Sequence, residues 1–183
     1  MAFNINQFIN TALPEDGYRP NLFQIGIVGP TAPLNFNFKA KATTLPSSNI
    51  GVTPVYYHGR QIKLAGDRSF DNWTVTVLLD ENDFMIGGVR GAFEQWSALI
   101  NNHVSNVRTL VPPRVGGYFG RGWITPMKKM GPIPLTTYSM EGCWPTEVGP
   151  VQLDWADNDR VAEFQVTFAY QWWSSTMIPG TLT

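Results

Sequence analysis

Residues 59–80 read Gly-Arg-Gln-Ile-Lys-Leu-Ala-Gly-Asp-Arg-Ser-Phe-Asp-Asn-Trp-Thr-Val-Thr-Val-Leu-Leu-Asp, and the rest of the chain is organised around them. Trp73, Val75, Val77 and Leu79 fall on one side and Thr74 and Thr76 on the other, the period of two of a strand with one buried face. His58-Gly59 reads as a turn that launches a shorter strand. Gly66-Asp67-Arg68 is expected to break that strand, placing Asp67 and Arg68 in a tight polar loop between two strands.

Outward from there, the same period recurs. Phe23, Ile25 and Ile27 alternate with Gln24 and Gly26 in a strand over 22–28. Phe36, Phe38, Ala40 and Ala42 alternate with Asn37, Lys39 and Lys41 in a half-buried strand. Residues 50–57 form another, interrupted by Pro54, which suits an edge or a bulge. Strands are expected over 123–130, 135–141 and 146–155, with a sharp corner at Gly142-Cys143-Trp144-Pro145 and a turn at Asp157-Asn158-Asp159. The clearest strand is the last: Ala162, Phe164, Val166, Phe168 and Tyr170 against Glu163, Gln165, Thr167 and Ala169.

Two stretches change period. Ile5, Phe8, Ile9 and Leu13 make one face of a short N-terminal helix, started by Asn4 or Asn6, that Pro14 stops and that is too short to stand alone. Phe84, Val89, Phe93, Trp96 and Ile100, widened by Ala92, Leu99 and His103, make a longer helix. It is capped by residues 80–83, loosened at its start by Gly87, Gly88 and Gly91, and firm over 89–102. Eight or nine strands with these helices predict a mainly β fold, an antiparallel sandwich or barrel with one flanking helix. We expect a single domain over 1–183. Its parts are a helical arm over 1–14, a long Gly/Pro/Arg loop over 104–122 and a tail over 174–183 without periodic signal.

Charged residues are 15% of the chain while aromatics are 13%, which points to neutral surface covered by a partner. A net charge of −1 argues against binding by phosphate neutralisation. One cysteine, Cys143, excludes an intramolecular disulfide. The first residues lack the basic and apolar regions of a secretory signal, and no stretch reaches the ~20 apolar residues of a membrane span. The protein is therefore expected to be soluble where it is made.

No catalytic constellation emerges. His58 reads as a turn residue, His103 as a helix-terminal residue and Cys143 as a small buried hydrophobe without a basic neighbour. Asp154, Asp157 and Asp159 lack the spacing, glycine and final glutamate of a calcium loop. The 116–122 glycines match neither nucleotide-binding spacing, and that flexible loop is expected to pack on a neighbouring copy. No cofactor and no metal are expected. Trp73 and Trp96 read as core. Trp172 and Trp173, at the end of the last strand, read as an interface, since aromatics are enriched in interface cores, and Asp67 and Arg68 as contacts within or between subunits.

The ordered set Arg19-Pro20-Asn21-Leu22-Phe23, Leu45-Pro46-Ser47, Gly59-Arg60, Gly66-Asp67-Arg68, Phe93-Glu94-Gln95-Trp96, Gly142-Cys143-Trp144-Pro145-Thr146 and Leu153-Asp154-Trp155, continuing through Glu163-Phe164 to Gln171-Trp172, resembles the tail tube proteins of contractile-tailed bacteriophages. Tyr56 stands where a proline is common, and the 108–122 loop is lengthened. The resemblance implies a non-enzymatic virion protein, made in the host cytoplasm and located in the tail. It implies homo-hexameric rings whose sheets join across subunits and which stack into a tube. The implied partners are the sheath protein, baseplate and tail terminator proteins, and in the lumen a tape-measure protein and DNA held without sequence specificity. A near-neutral chain suits such a lumen, and ring closure covers strand edges. The alternatives are the tube of a phage-related injection machine and, from another class, a monomeric carbohydrate-binding β-sandwich.

Overall fold

The computed structural model describes residues 4–15, 17–31, 36–85, 87–110 and 117–177. The alternation at 73–79 becomes the central strand β5 (Trp73–Leu78), whose odd-numbered side chains are all buried. Before it come α1 (Ile5–Ala12), β1 (Phe23–Val28), α2 (Phe36–Lys39), β2 (Ala40–Thr43), β3 (Asn49–Tyr57) and β4 (Arg60–Ser69). After it come a 3-10 turn (Glu81–Phe84), α3 (Val89–Ile100), β6 (Gly120–Pro126), β7 (Tyr138–Val148), β8 (Glu163–Ala169) and β9 (Trp172–Ser175). All strand pairs are antiparallel.

The body is one sheet in the order β1-β6-β7-β8-β5-β2, with β9 added to β7. It folds over itself at β7, which pairs β6 and β9 through its first half and β8 through its second. Gly142, with φ +62°, and a bulge between Pro145 and Glu147 let the strand change partners. The two halves meet face to face: Gly122 of β6 leaves no room for a side chain above the Trp73 ring of β5. One core joins both halves to α3, with Phe93 edge-on to Phe36 at 5.4 Å and to Phe168 at 5.4 Å. Trp96 fills a notch made by Gly29 and Gly120, and its indole N–H donates to the Tyr118 carbonyl at 2.9 Å.

The expected caps at 80–83 are present, and they carry more than a helix end. Asp83, 2% exposed, accepts both Lys39 contacts at 2.6 Å, the Asp80 amide at 2.7 Å and the Val89 amide, the first of α3, at 3.1 Å. Burial pushes its pKa up, but the Lys39 ammonium and the two amides outweigh that and hold it below the ordinary carboxylate value. The carboxylate thus clamps α2 to the start of α3.

Several expectations are corrected. Residues 36–39 are helical, not extended, because Phe36 and Lys39, one turn apart, reach Phe93 and Asp83 together, while Phe38 is exposed. Gly66-Asp67-Arg68 does not break a strand. It lies within β4, opposite a bulge between Ile50 and Val52, and the interruption falls at 70–72. Pro54 does not interrupt β3, since in a two-stranded ribbon its missing N–H can face outward. The corner at 142–145 joins two expected strands into β7, and 149–155 is loop rather than strand. The long helix ends at Ile100, and β6 covers 120–126, taking the last three residues of the expected loop. Residues 111–116 of that loop lie outside the described residues, as do 178–183 of the tail. Trp172 and Trp173 do not end β8 but open a further strand, β9.

Candidate assembly surface

β3 and β4 pair only with each other, in a sheet separate from the body. The turn that joins them has His58 at φ 44° and Gly59 at φ 78°, the left-handed pair that suits the twist of a tight hairpin. Every residue from Asn49 to Ala65 is exposed. In the cross-strand register, Thr53 faces Leu64, Val55 faces Ile62 and Tyr57 faces Arg60. Paired residues share a face, so one side of this arm carries an apolar row: Val55 (44% exposed), Tyr57 (65%), Ile62 (48%) and Leu64 (52%). Two-stranded hairpins are marginal alone in water, and here neither face is covered by the chain itself. Such a patch of apolar and aromatic residues is the signature of a contact surface.

Of the four residues singled out in the sequence, Arg68 and Trp173 meet at the base of the arm. Arg68 donates to the Ser48 hydroxyl at 2.6 Å, and Asp67 precedes it on the exposed end of β4. One residue away, the Ser47 carbonyl accepts the Trp173 indole N–H at 2.9 Å. Trp173 is half-buried, with its ring 5.7 Å from that of Tyr138, whereas Trp172 is exposed. The structure therefore gives Arg68 and Trp173 partners within the chain.

Two other apolar surfaces are open. α1 presents Ile5, Phe8, Ile9 and Leu13 to solvent, above a cleft lined by Leu13, Tyr18, Leu22, Met127, Met130 and Leu135. The loop after β7 carries Leu153 and Trp155, both largely or fully exposed. Its start is held by Arg90, which donates to the Gly149 carbonyl at 3.0 Å, pairs with Glu94 at 2.8 Å and lies 5.2 Å from the Phe164 ring centre. Periodicity predicted α1's apolar stripe. The exposed arm was missed, although apolar residues on both sides of a long hairpin (Val52 and Tyr56 against Val55 and Tyr57) signalled that no single face was meant for this chain's core.

The remaining candidates have structural places. His58 is the hairpin turn and His103 lies just past α3. Cys143 is wholly buried, and burial pushes its thiol far above the ordinary range, so it is no nucleophile. Trp73 and Trp96 are core. Within the 116–122 loop, Tyr118 and Phe119 pack on Trp144 of their own chain, at 5.9 and 5.3 Å. Among the described residues, no helix is long and apolar enough to cross a membrane.

Comparison with known proteins agrees with this geometry. The family described as phage tail tube protein matches residues 3–176. The chain is 34% identical over 160 residues to the tail tube protein gp19 of Enterobacteria phage T4, covering 86% of this chain and 91% of that one. It is 26% identical over 131 residues to the tail tube protein of Serratia phage KSP90, covering 72% and 70%. Among solved structures, a chain of the anti-feeding prophage baseplate shares the fold with a TM-score of 0.63 at 12% identity, covering 88% of this chain and 96% of that one. A chain of the sheath–tube complex of an extracellular contractile injection system does so with a TM-score of 0.53 at 15% identity, covering 95% and 98%.

Proposed function

The chain belongs to the phage tail tube protein family, and from that premise we propose that it is the structural subunit of the inner tube of a contractile tail. It assembles into hexameric rings that stack into a conduit within the virion tail. It acts by shape, without catalysis or cofactor, as one domain across residues 1–183. The observation that carries the reading is the arm, a ribbon with both faces exposed beside a body built on one packed core. A neighbouring subunit supplies the missing cover. Asp67 and Arg68 on β4 and Trp172 and Trp173 on β9 border that contact, Arg68 and Trp173 being bonded to one leg of the arm. The outer edges β1 and β2 of the body sheet are the edges through which rings close.

The sheath surrounds this tube, baseplate and terminator proteins cap it, and a tape-measure protein and then DNA occupy its lumen without sequence-specific contacts. The tube of an injection machine has the same fold, but the closer sequence relatives named above are phage tube proteins. Electron microscopy of the purified chain over a wide concentration range, with sedimentation, tests the proposal. Six-fold rings or tubes of uniform width are expected. A strict monomer at every concentration that binds a glycan saturably would establish the sandwich alternative instead.

A further inference from the structure

The arm joins the body through two short legs, residues 44–48 and 70–72. The strands these legs continue, β2 and β5, are themselves paired, so the arm is the distal part of one long hairpin. Each leg rests on an aromatic side chain from the neighbouring chain turn, Tyr170 just after β8 and Trp173 in β9. On the first leg, the Ser47 carbonyl accepts the Trp173 indole N–H at 2.9 Å. On the second, the Phe70 ring lies 5.9 Å from that of Tyr170. The legs are tied to each other where the Ser47 hydroxyl donates to Asp71 at 2.7 Å. Below them, the Trp73 indole N–H donates to the Thr43 hydroxyl at 2.7 Å.

We propose that Trp173, together with Tyr170, is a latch that sets the angle at which the arm leaves the body. These are positioning residues, distinct from those that touch a neighbour, and the proposal rests on the reading of the arm as the assembly element. Exposed from Asn49 to Ala65, the ribbon is held only near its legs among the described residues, and such segments swing on nanosecond to microsecond timescales. Trp173 can hold it because its own strand is anchored: β9 pairs with β7 from Tyr138 to Glu141, and the Trp173 ring packs on Tyr138 and the core. Tyr170 supports the other leg from a buried position, its ring 8% exposed and its hydroxyl without a hydrogen-bond partner among the described residues. Its contribution is therefore ring contact. An arm already held at its docking angle loses less freedom on binding.

Spin labels at Gln61→Cys in the arm and Gln95→Cys on the exposed face of α3 report the arm-to-body distance by pulsed dipolar spectroscopy on the dilute, unassembled full chain. Cys143, being buried, stays unlabelled. Trp173→Phe keeps an aromatic ring and removes the indole N–H with the rest of the pyrrole ring. Loss of one neutral hydrogen bond should lower the held-to-swung ratio about fivefold and broaden the distance distribution, with little change in Tm. Trp172→Phe should leave the distribution as in the wild type. Ser47→Ala, at an exposed position, should broaden it through the untied legs even if Trp173→Phe folds poorly. A Trp173→Phe distribution as narrow as the wild type's overturns the latch, and so does a wild type that is already broad. Absence of rings alongside a narrow wild-type arm would instead count against the tube reading alone.

Discussion

β4 and β5 are consecutive strands, both with apolar residues in alternation, and they meet opposite fates. Trp73, Val75 and Val77 of β5 are buried between β2 and β8 and beneath the facing half of the sheet. Ile62 and Leu64 of β4 remain about half exposed, with β3 as their sole strand partner. The difference lies in what stands opposite. Burial in the body comes from strands far away in sequence and from α3, while the arm offers the same apolar alternation with nothing behind it. On the function proposed above, stability and assembly are carried by different parts of the molecule, and substitutions should separate them.

The largest effect is expected at Trp96→Ala in the body. It removes a wholly buried ring from its notch and leaves the Tyr118 carbonyl without its donor, costing about 3–5 kcal/mol in urea unfolding of the unassembled chain. Asp83→Asn comes next, at about 2 kcal/mol, because Lys39 then faces a neutral group in a buried place. This clamp also makes stability pH-dependent. Since the folded Asp83 titrates below the unfolded side chain, its contribution is complete above the ordinary carboxylate pKa and fades as pH falls towards the lowered folded value. Wild-type stability should drop on acidification, and Asp83→Asn should shrink that drop. It should not abolish it, since Lys41 and then Arg160 hold Glu163 low in the same sense, against a smaller push from desolvation.

The smallest effect on stability is expected in the arm. Val55→Thr combined with Ile62→Thr keeps β-branched side chains on one cross-strand pair, and the unfolding free energy should move by less than about 0.5 kcal/mol. The same pair should raise the concentration needed for ring or tube formation by roughly tenfold or more, read by sedimentation. Equal losses of stability in arm and body would erase the distinction between them.

Where a strand or helix period runs unbroken, the sequence is readable residue by residue, as at 73–79, 162–170 and 89–100. Where two periods coexist, it is not. Phe36 and Lys39 satisfy both alternation and a helical turn, and only the positions of Phe93 and Asp83 choose between them. Gly142 reads as a corner, yet the chain there stays hydrogen-bonded by exchanging β6 for β8 as its neighbour. Arg68 and Trp173 were legible as noteworthy residues, but their meeting at Ser47 and Ser48 was not, because 105 positions separate them and their common ground is one leg of the hairpin.

By itself the sequence determined that the fold is mainly antiparallel β with a flanking helix, the apolar face of β5, β8, α1 and α3, and the kinship with tail tube proteins. These follow from local spacing and from ordered motifs. The tertiary structure alone decided which apolar faces are covered, that β7 serves two halves of the sheet, and that β3 and β4 stand away from the core. Alternation states that a face is apolar. What lies against it depends on partners brought near by the whole fold, and for the arm none comes from the described residues of this chain.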